Sequence, residues 1–251
     1  MSPRRAALHR PDSPIRPARA TRKSASGPGG RVANSRDVGI YFREDCRPLD
    51  DSLQLEMVVA QYLLQIRDVR TTAGLPIGEV VGAGVVAELE GHRDELSHAI
   101  LRGIAHVAPG RMGERAADAA AHLAGREIGL PAKFEDVGLA KAVGAWRATE
   151  GAHPGEYVLF AEFEHPAGRR HTIAVFVEPR RGGRVKHLGL MDAMSAIAPD
   201  GPFDPARMES LDLATAGGLL RDVVDRTYGP SLAETDDFRV LIAAARARSM
   251  S

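Results

Sequence analysis

Cysteine is nearly missing from this chain, with Cys46 standing alone among 251 residues. A lone cysteine excludes an intramolecular disulfide framework and fits a reducing compartment. Long apolar runs are missing too, and none approaches the ~18 residues that a membrane-crossing helix needs. The first residues carry no apolar stretch that can serve as the core of a secretory signal. The expectation is a cytoplasmic protein that does not enter the membrane. Lysine is scarce: only Lys23, Lys133, Lys141 and Lys186 stand among 33 basic residues. With so much Ala, Gly and Arg, this bias suggests a GC-rich bacterial coding sequence and carries no chemistry.

What is present is ordinary globular material, 44% apolar and 26% charged, in a length that can bury a sizeable core. The zero net charge hides an asymmetry. Residues 1–36 hold nine basic side chains against Asp12 alone, a net of +8, which leaves −8 on the remainder. This tail is rich in Pro, Ser, Gly and Arg, has few large apolar side chains, and is expected to be disordered. A tail of opposite sign can bind nucleic acid or fold back on its acidic body.

The expected fold class is α+β. Residues 37–150 form a mostly helical region, packed with a small antiparallel three-stranded meander that C-terminal helices follow in 151–251. Residues 37–251 are expected as one continuous domain. Asp51 with Gln54 three residues on reads as a capping box. The apolar positions that follow fall on two helical stripes, which marks a buried helix. Residues 92–108 and 111–127 read as a helical pair broken at Pro109-Gly110. A further helix is expected from Phe134 to Thr149, containing Trp146. The pattern then switches to β-branched and aromatic residues in Glu156–Glu164 and His171–Glu178, joined by a Pro- and Gly-containing turn. Arg184–Leu190 is the third strand. Asp204-Pro205 and Ser231 or Thr235 are expected helix starts, and residues 215–228 form a helix ended by Gly229-Pro230.

Pairing the hairpin across Ala167-Gly168 sets Glu164 opposite His171, with Glu162 diagonal on the same face. Two carboxylates and an imidazole on one sheet face can work as a general acid/base set or as part of a metal site, with Asp192 as a further ligand. Glu162, Glu164, His171 and Asp192 are therefore the candidate binding residues. A one-residue register slip dissolves the cluster.

Other motifs are incomplete. Gly82-Ala83-Gly84-Val85-Val86-Ala87 matches G-x-G-x-x-A but lacks a βαβ context. His92, His98, His106 and His122 have no zinc-binding spacing. Cys46 sits beside Glu44 and Asp45, which oppose a thiolate. The meander turns are basic, at Arg169-Arg170 and at Arg180, Arg181 and Arg184, but lie at opposite sheet ends. These residues assign no catalytic group, cofactor or metal.

The helix with Trp146, the Gly155-Glu156 step, the aromatic strand, the His171 strand, and Gly183-Arg184-Val185-Lys186 up to Asp192 together resemble an actinobacterial protein family of unknown function, over about residues 95–250. The family pattern has Asp where this chain has Glu156 and Glu178, and its Lys-Asp step is displaced here to Asp192. The resemblance implies one continuous α+β unit and no activity. The expected function is a non-enzymatic interaction or regulatory module acting on an unidentified partner, with a protein as the candidate. The alternatives are a hydrolytic or metal-assisted enzyme using the hairpin cluster, and a nucleic-acid accessory protein acting through residues 1–36.

Overall fold

The computed structural model describes residues 35–70, 77–149, 156–178, 182–196, 207–229 and 237–250. All of them belong to one compact unit, Arg31–Ser251. Residues 1–34 of the basic tail, the Asp204-Pro205 helix start and the Ser231 and Thr235 starts lie outside the described residues, while Ser35 and Arg36 already belong to the first helix.

Among the described residues five helices come first: α1 (Ser35–Cys46), α2 (Ser52–Arg67), α3 (Gly78–His92), α4 (Glu95–Val107) and α5 (Gly110–Gly125). The Asp51 carboxylate accepts the Gln54 N–H at 2.9 Å, and the Gln54 side chain accepts the Asp50 N–H. The Asp51 cap fixes where α2 begins and contributes about 1 kcal/mol, and Gln54 reaches back one residue beyond the cap to Asp50. Asp94 caps α4 in the same way, through the Ser97 N–H. The G-x-G-x-x-A segment is interior to α3, with no strand before it. Its glycines allow close packing: a Cβ on Gly82 would meet Met112, and one on Gly84 would meet Ser35, each at 2.6 Å.

The sheet that follows is β1 (Lys141–Ala148), β2 (Tyr157–Glu164), β3 (Arg170–Glu178), β4 (Arg184–Met191) and the two-residue β5 (Glu209–Ser210), in the order β4-β3-β2-β1-β5. All pairings are antiparallel. The sheet thus has five strands where the sequence predicts three. The expected helix from Phe134 to Thr149 is instead a short 3-10 turn (Ala132–Phe134) followed by β1. Gly138 at φ +74 breaks any helix there. The Trp146 ring lies over Gly144, where a Cβ would sit 2.3 Å from it, so the indole covers the gap that glycine leaves in the strand. Alanine-rich β1 has helical composition, and pairing with β2 overrides it. Two further helices follow among the described residues, α6 (Leu213–Tyr228), ended by Gly229, and α7 (Phe238–Ser249), capped by Asp237.

One sheet face packs on the helices. Leu159, Ala161, Phe163, Ile173, Val175, Val177 and Leu188 join the core that the helices share. The opposite face carries a smaller cluster of Ala148, Val158, Phe160, Ala174 and Met194, bordered by Trp146 and Phe176. Among the described residues no helix is long and apolar enough to cross a membrane.

Candidate functional site

The hairpin turn decides which side chains can meet. His165 N–H donates to the Arg169 carbonyl at 2.9 Å, Gly168 N–H donates to the His165 carbonyl at 2.7 Å, and Gly168 has φ +82. The loop is therefore the three residues Pro166-Ala167-Gly168, with glycine in the left-handed position, and not a two-residue turn centred on Ala167-Gly168. The register moves by one: Glu164 pairs with Arg170, Phe163 with His171 and Glu162 with Thr172. The expected opposition of Glu164 and His171 is corrected accordingly, because a one-residue slip puts them on opposite faces.

Each sequence candidate then has its own surroundings. On the outer face Glu162 is buried and accepts the Met194 N–H at 2.8 Å. Glu164 pairs with Arg170 at 2.9 Å. Asp192 is exposed and directly follows Met191, the cross-strand partner of Thr172. Glu162 and Glu164 thus share the outer face at the turn end of the sheet, Asp192 follows β4 near that end, and His171 faces the helices.

What His171 meets there is a buried polar hub that no local spacing signals. Arg246 of α7 is 0% exposed, and its guanidinium reaches three partners from three other elements. Nε donates to His171 Nε2 on β3 at 3.2 Å, Nη1 to His106 Nε2 on α4 at 2.7 Å, and Nη2 to Glu56 Oε2 on α2 at 2.5 Å. Glu56 is likewise 0% exposed, and its other oxygen accepts the Gly138 N–H at 2.9 Å. The guanidinium also lies over the Phe163 ring, 5.6 Å from its centroid. The His165 ring stands 5.3 Å from that of His171, centroid to centroid.

The electrostatics follow from burial and one fixed charge. Burial pushes the Glu56 carboxyl up, but Arg246, His106 and the Gly138 N–H outweigh it and hold the carboxyl below the usual range. Burial pushes His106 down to about 4, with Glu56 opposing and Arg246 and Arg248 reinforcing the drop. His171 is held well below the ordinary imidazole value by burial and by Arg246. His165 is lowered by burial, against the pull of Glu56 and Asp136. A guanidinium only donates, so the Nε2 atoms of His106 and His171 must both accept. Both rings are then neutral with the proton on Nδ1.

The hub offers no metal the lone pairs it would need, since Arg246 already holds two of them. Among the described residues no group of three or more His, Cys, Asp or Glu side chains can hold a metal ion. Its polar atoms are not all engaged, however. His171 Nδ1 and both ring nitrogens of His165 are buried and meet no protein partner at hydrogen-bonding geometry, and neither does Ser52 Oγ, one turn before Glu56 on α2.

The remaining titratable residues read structurally. His98 Nδ1 faces the Ile128 and Gly129 carbonyls, His122 pairs with Glu90, and His92 with Glu88. Cys46 is buried, and desolvation followed by the Asp45 charge pushes its thiol far up. Arg169 is paired with Asp51, and Lys186 with Glu156 at 2.7 Å.

Glu56, His106, His165 and Arg246 were not legible as a set. Arg246 and Glu56 are 190 positions apart. The one local hint is an acidic side chain inside the otherwise apolar face of α2. Comparison with protein-family models, curated proteins and solved structures returns no match, so the resemblance to an actinobacterial family transfers no functional residue to this chain.

Proposed function

We propose that this chain is a non-enzymatic interaction or regulatory module. The observation that supports this reading best is how its chemistry-bearing groups are engaged. Glu162 holds the Met194 backbone, Glu164 pairs with Arg170, and Glu56, His106 and His171 hold Arg246. Each tie joins one element to another: α7 to α2, α4 and β3, and β2 to β3 and to the segment after β4. A polar network with two discrete arrangements is a means of passing a binding event between surfaces. The hydrolytic or metal-assisted alternative needs Glu164 and His171 on one face, and their register separates them. The nucleic-acid alternative rests on residues outside the described structure, and the basic hairpin residues Arg169 and Arg170 are paired with acids. A cytoplasmic, bacterial setting remains part of the proposal, supported by the arginine bias and by the single, buried cysteine.

Metal retention separates the two main readings. Wild type, Glu164→Gln and His171→Asn are each incubated with zinc or manganese, desalted and measured by elemental mass spectrometry. The interaction reading expects no retained metal in any of the three. Stoichiometric metal in wild type, lost in both variants, would overturn it in favour of the enzyme.

A further inference from the structure

Three of the chain's seven methionines, Met191, Met194 and Met208, meet on the outer sheet face. Met194 is 3% exposed in the cluster with Val158, Phe160 and Ala174. Met191 and Met208 are half-buried against that cluster, beside Trp146 and Phe176. Strand order explains why they gather there. β4 and β5 are opposite edges of the sheet, so the chain between them has to pass from one edge to the other. Its described residues touch the face at three points. Met191 ends β4 opposite Thr172, the Met194 N–H is accepted by Glu162 of β2, and Met208 leads into the pair of Glu209 with Arg147 on β1. A methionine stands at each of them.

Methionine suits an irregular apolar gap because it is flexible and carries no strong acceptor. An oxygen added to its sulfur reverses that. The sulfoxide is a polar group with a strong acceptor, and the side chains of Ala148, Val158, Phe160 and Ala174 offer it no donor. Unmatched on the face, it prefers water. We propose that Met191 and Met208 are sites of peroxide oxidation, and that their sulfoxides unfasten the β4–β5 connection from the outer face at Met194.

The step is a two-electron oxygen transfer. A sulfur lone pair attacks one oxygen of hydrogen peroxide, and the S–O bond forms as the O–O bond breaks. The departing hydroxide takes the proton of the transferred oxygen and leaves as water. Sulfur is oxidised and peroxide reduced. Access orders the sites: Met191 and Met208 present part of their side chains to solvent, whereas Met194 is covered and reacts only after them. Met112 is half-buried too, but it packs against Gly82 in the helical core and so serves as an internal control. Methionine sulfoxide is reducible by dedicated enzymes, which makes the release reversible. The proposal does not rest on the interaction reading, since oxidation and its effect are both read on the chain itself.

In the test, the full chain is treated with dilute hydrogen peroxide and quenched with catalase. Peptide mass spectrometry, Trp146 fluorescence and amide hydrogen exchange then read the same sample. Sulfoxide is expected at Met191 and Met208, with Trp146 emission moved to the red and exchange of the Met194 amide faster by about tenfold or more. Far-UV circular dichroism should stay unchanged, and the two epimer-specific sulfoxide reductases together should reverse both signals. Met191→Leu/Met208→Leu keeps the apolar volume and should give neither signal at the same dose. Met112→Leu should respond as wild type. If the double variant does not fold, the two single variants are used, and each should lose part of the response. Oxidation of Met191 and Met208 that leaves Trp146 emission and Met194 exchange unchanged overturns the proposal. So does a response that the Met191 and Met208 variants keep or that Met112→Leu abolishes. Met191 and Met208 staying reduced at a dose that oxidises Met112 overturns it as well. Loss of the far-UV signal in step with oxidation does the same, because the release is then global unfolding.

Discussion

Replacing Arg246 by methionine removes the positive charge of the buried hub. Methionine keeps much of the length and apolar volume of the arginine stem, so the change isolates the guanidinium. Glu56 is then left fully buried without its ion pair, and among the described residues it keeps the bond from the Gly138 N–H at 2.9 Å. The Nε2 lone pairs of His106 and His171 lose their donor as well. Breaking a buried ion pair from one side typically costs about 3–5 kcal/mol, because the surviving charge is stranded. For a domain of this size that loss lowers Tm by roughly 6–20 °C. Urea unfolding followed by tryptophan fluorescence measures it directly, since Trp146 is the only indole. The companion variant Arg246→Met/Glu56→Leu removes both charges and should recover most of the loss, because replacing a whole buried pair by apolar groups is often near neutral. A single-variant loss below about 1 kcal/mol would refute the reasoning, as would a double variant as unstable as the sum of its parts.

Acidification should weaken the fold before any carboxylate titrates. His106, held at about 4, and His165 and His171, also lowered, are neutral when folded but take up protons near 6.5 when unfolded. The unfolded state then binds more protons below about 6.5, so the urea midpoint should fall steadily as pH drops from 7 toward 4; a flat profile would contradict the buried neutral imidazoles. Glu162→Ala should strand the Met194 N–H and cost about 1–3 kcal/mol. Hydrogen exchange at that amide should accelerate markedly; unchanged protection would deny the contact. Gly113→Ala sets a Cβ 2.5 Å from the Ala108 carbonyl oxygen. Its overpacking cost of about 1–3 kcal/mol should exceed the roughly 1 kcal/mol that alanine gains in a helix, so a higher melting temperature would refute that packing.

Local physics was the legible part of this chain. Asp51, capping the Gln54 N–H, announces the start of α2, and β-branched and aromatic residues announce β2 and β3. The α+β arrangement follows from those elements. Two misreadings show where local signals stop. Lys141–Ala148 is alanine-rich and looks helical, and only its pairing with β2 makes it a strand. The hairpin register hinges on whether Gly168 takes φ +82, a one-residue matter that moves His171 from the outer face to the inner one. The hub was hidden for a different reason. Glu56, His106, His171 and Arg246 come from α2, α4, β3 and α7, and nothing in sequence spacing relates them.

The most direct test of the hub is the protonation of its imidazoles, read by long-range proton–nitrogen correlation on nitrogen-labelled protein at pH 6. His106 and His171 should both appear neutral, with the proton on Nδ1 and Nε2 as the bare acceptor facing Arg246. Either ring charged at that pH, or carrying its proton on Nε2, would contradict the arrangement.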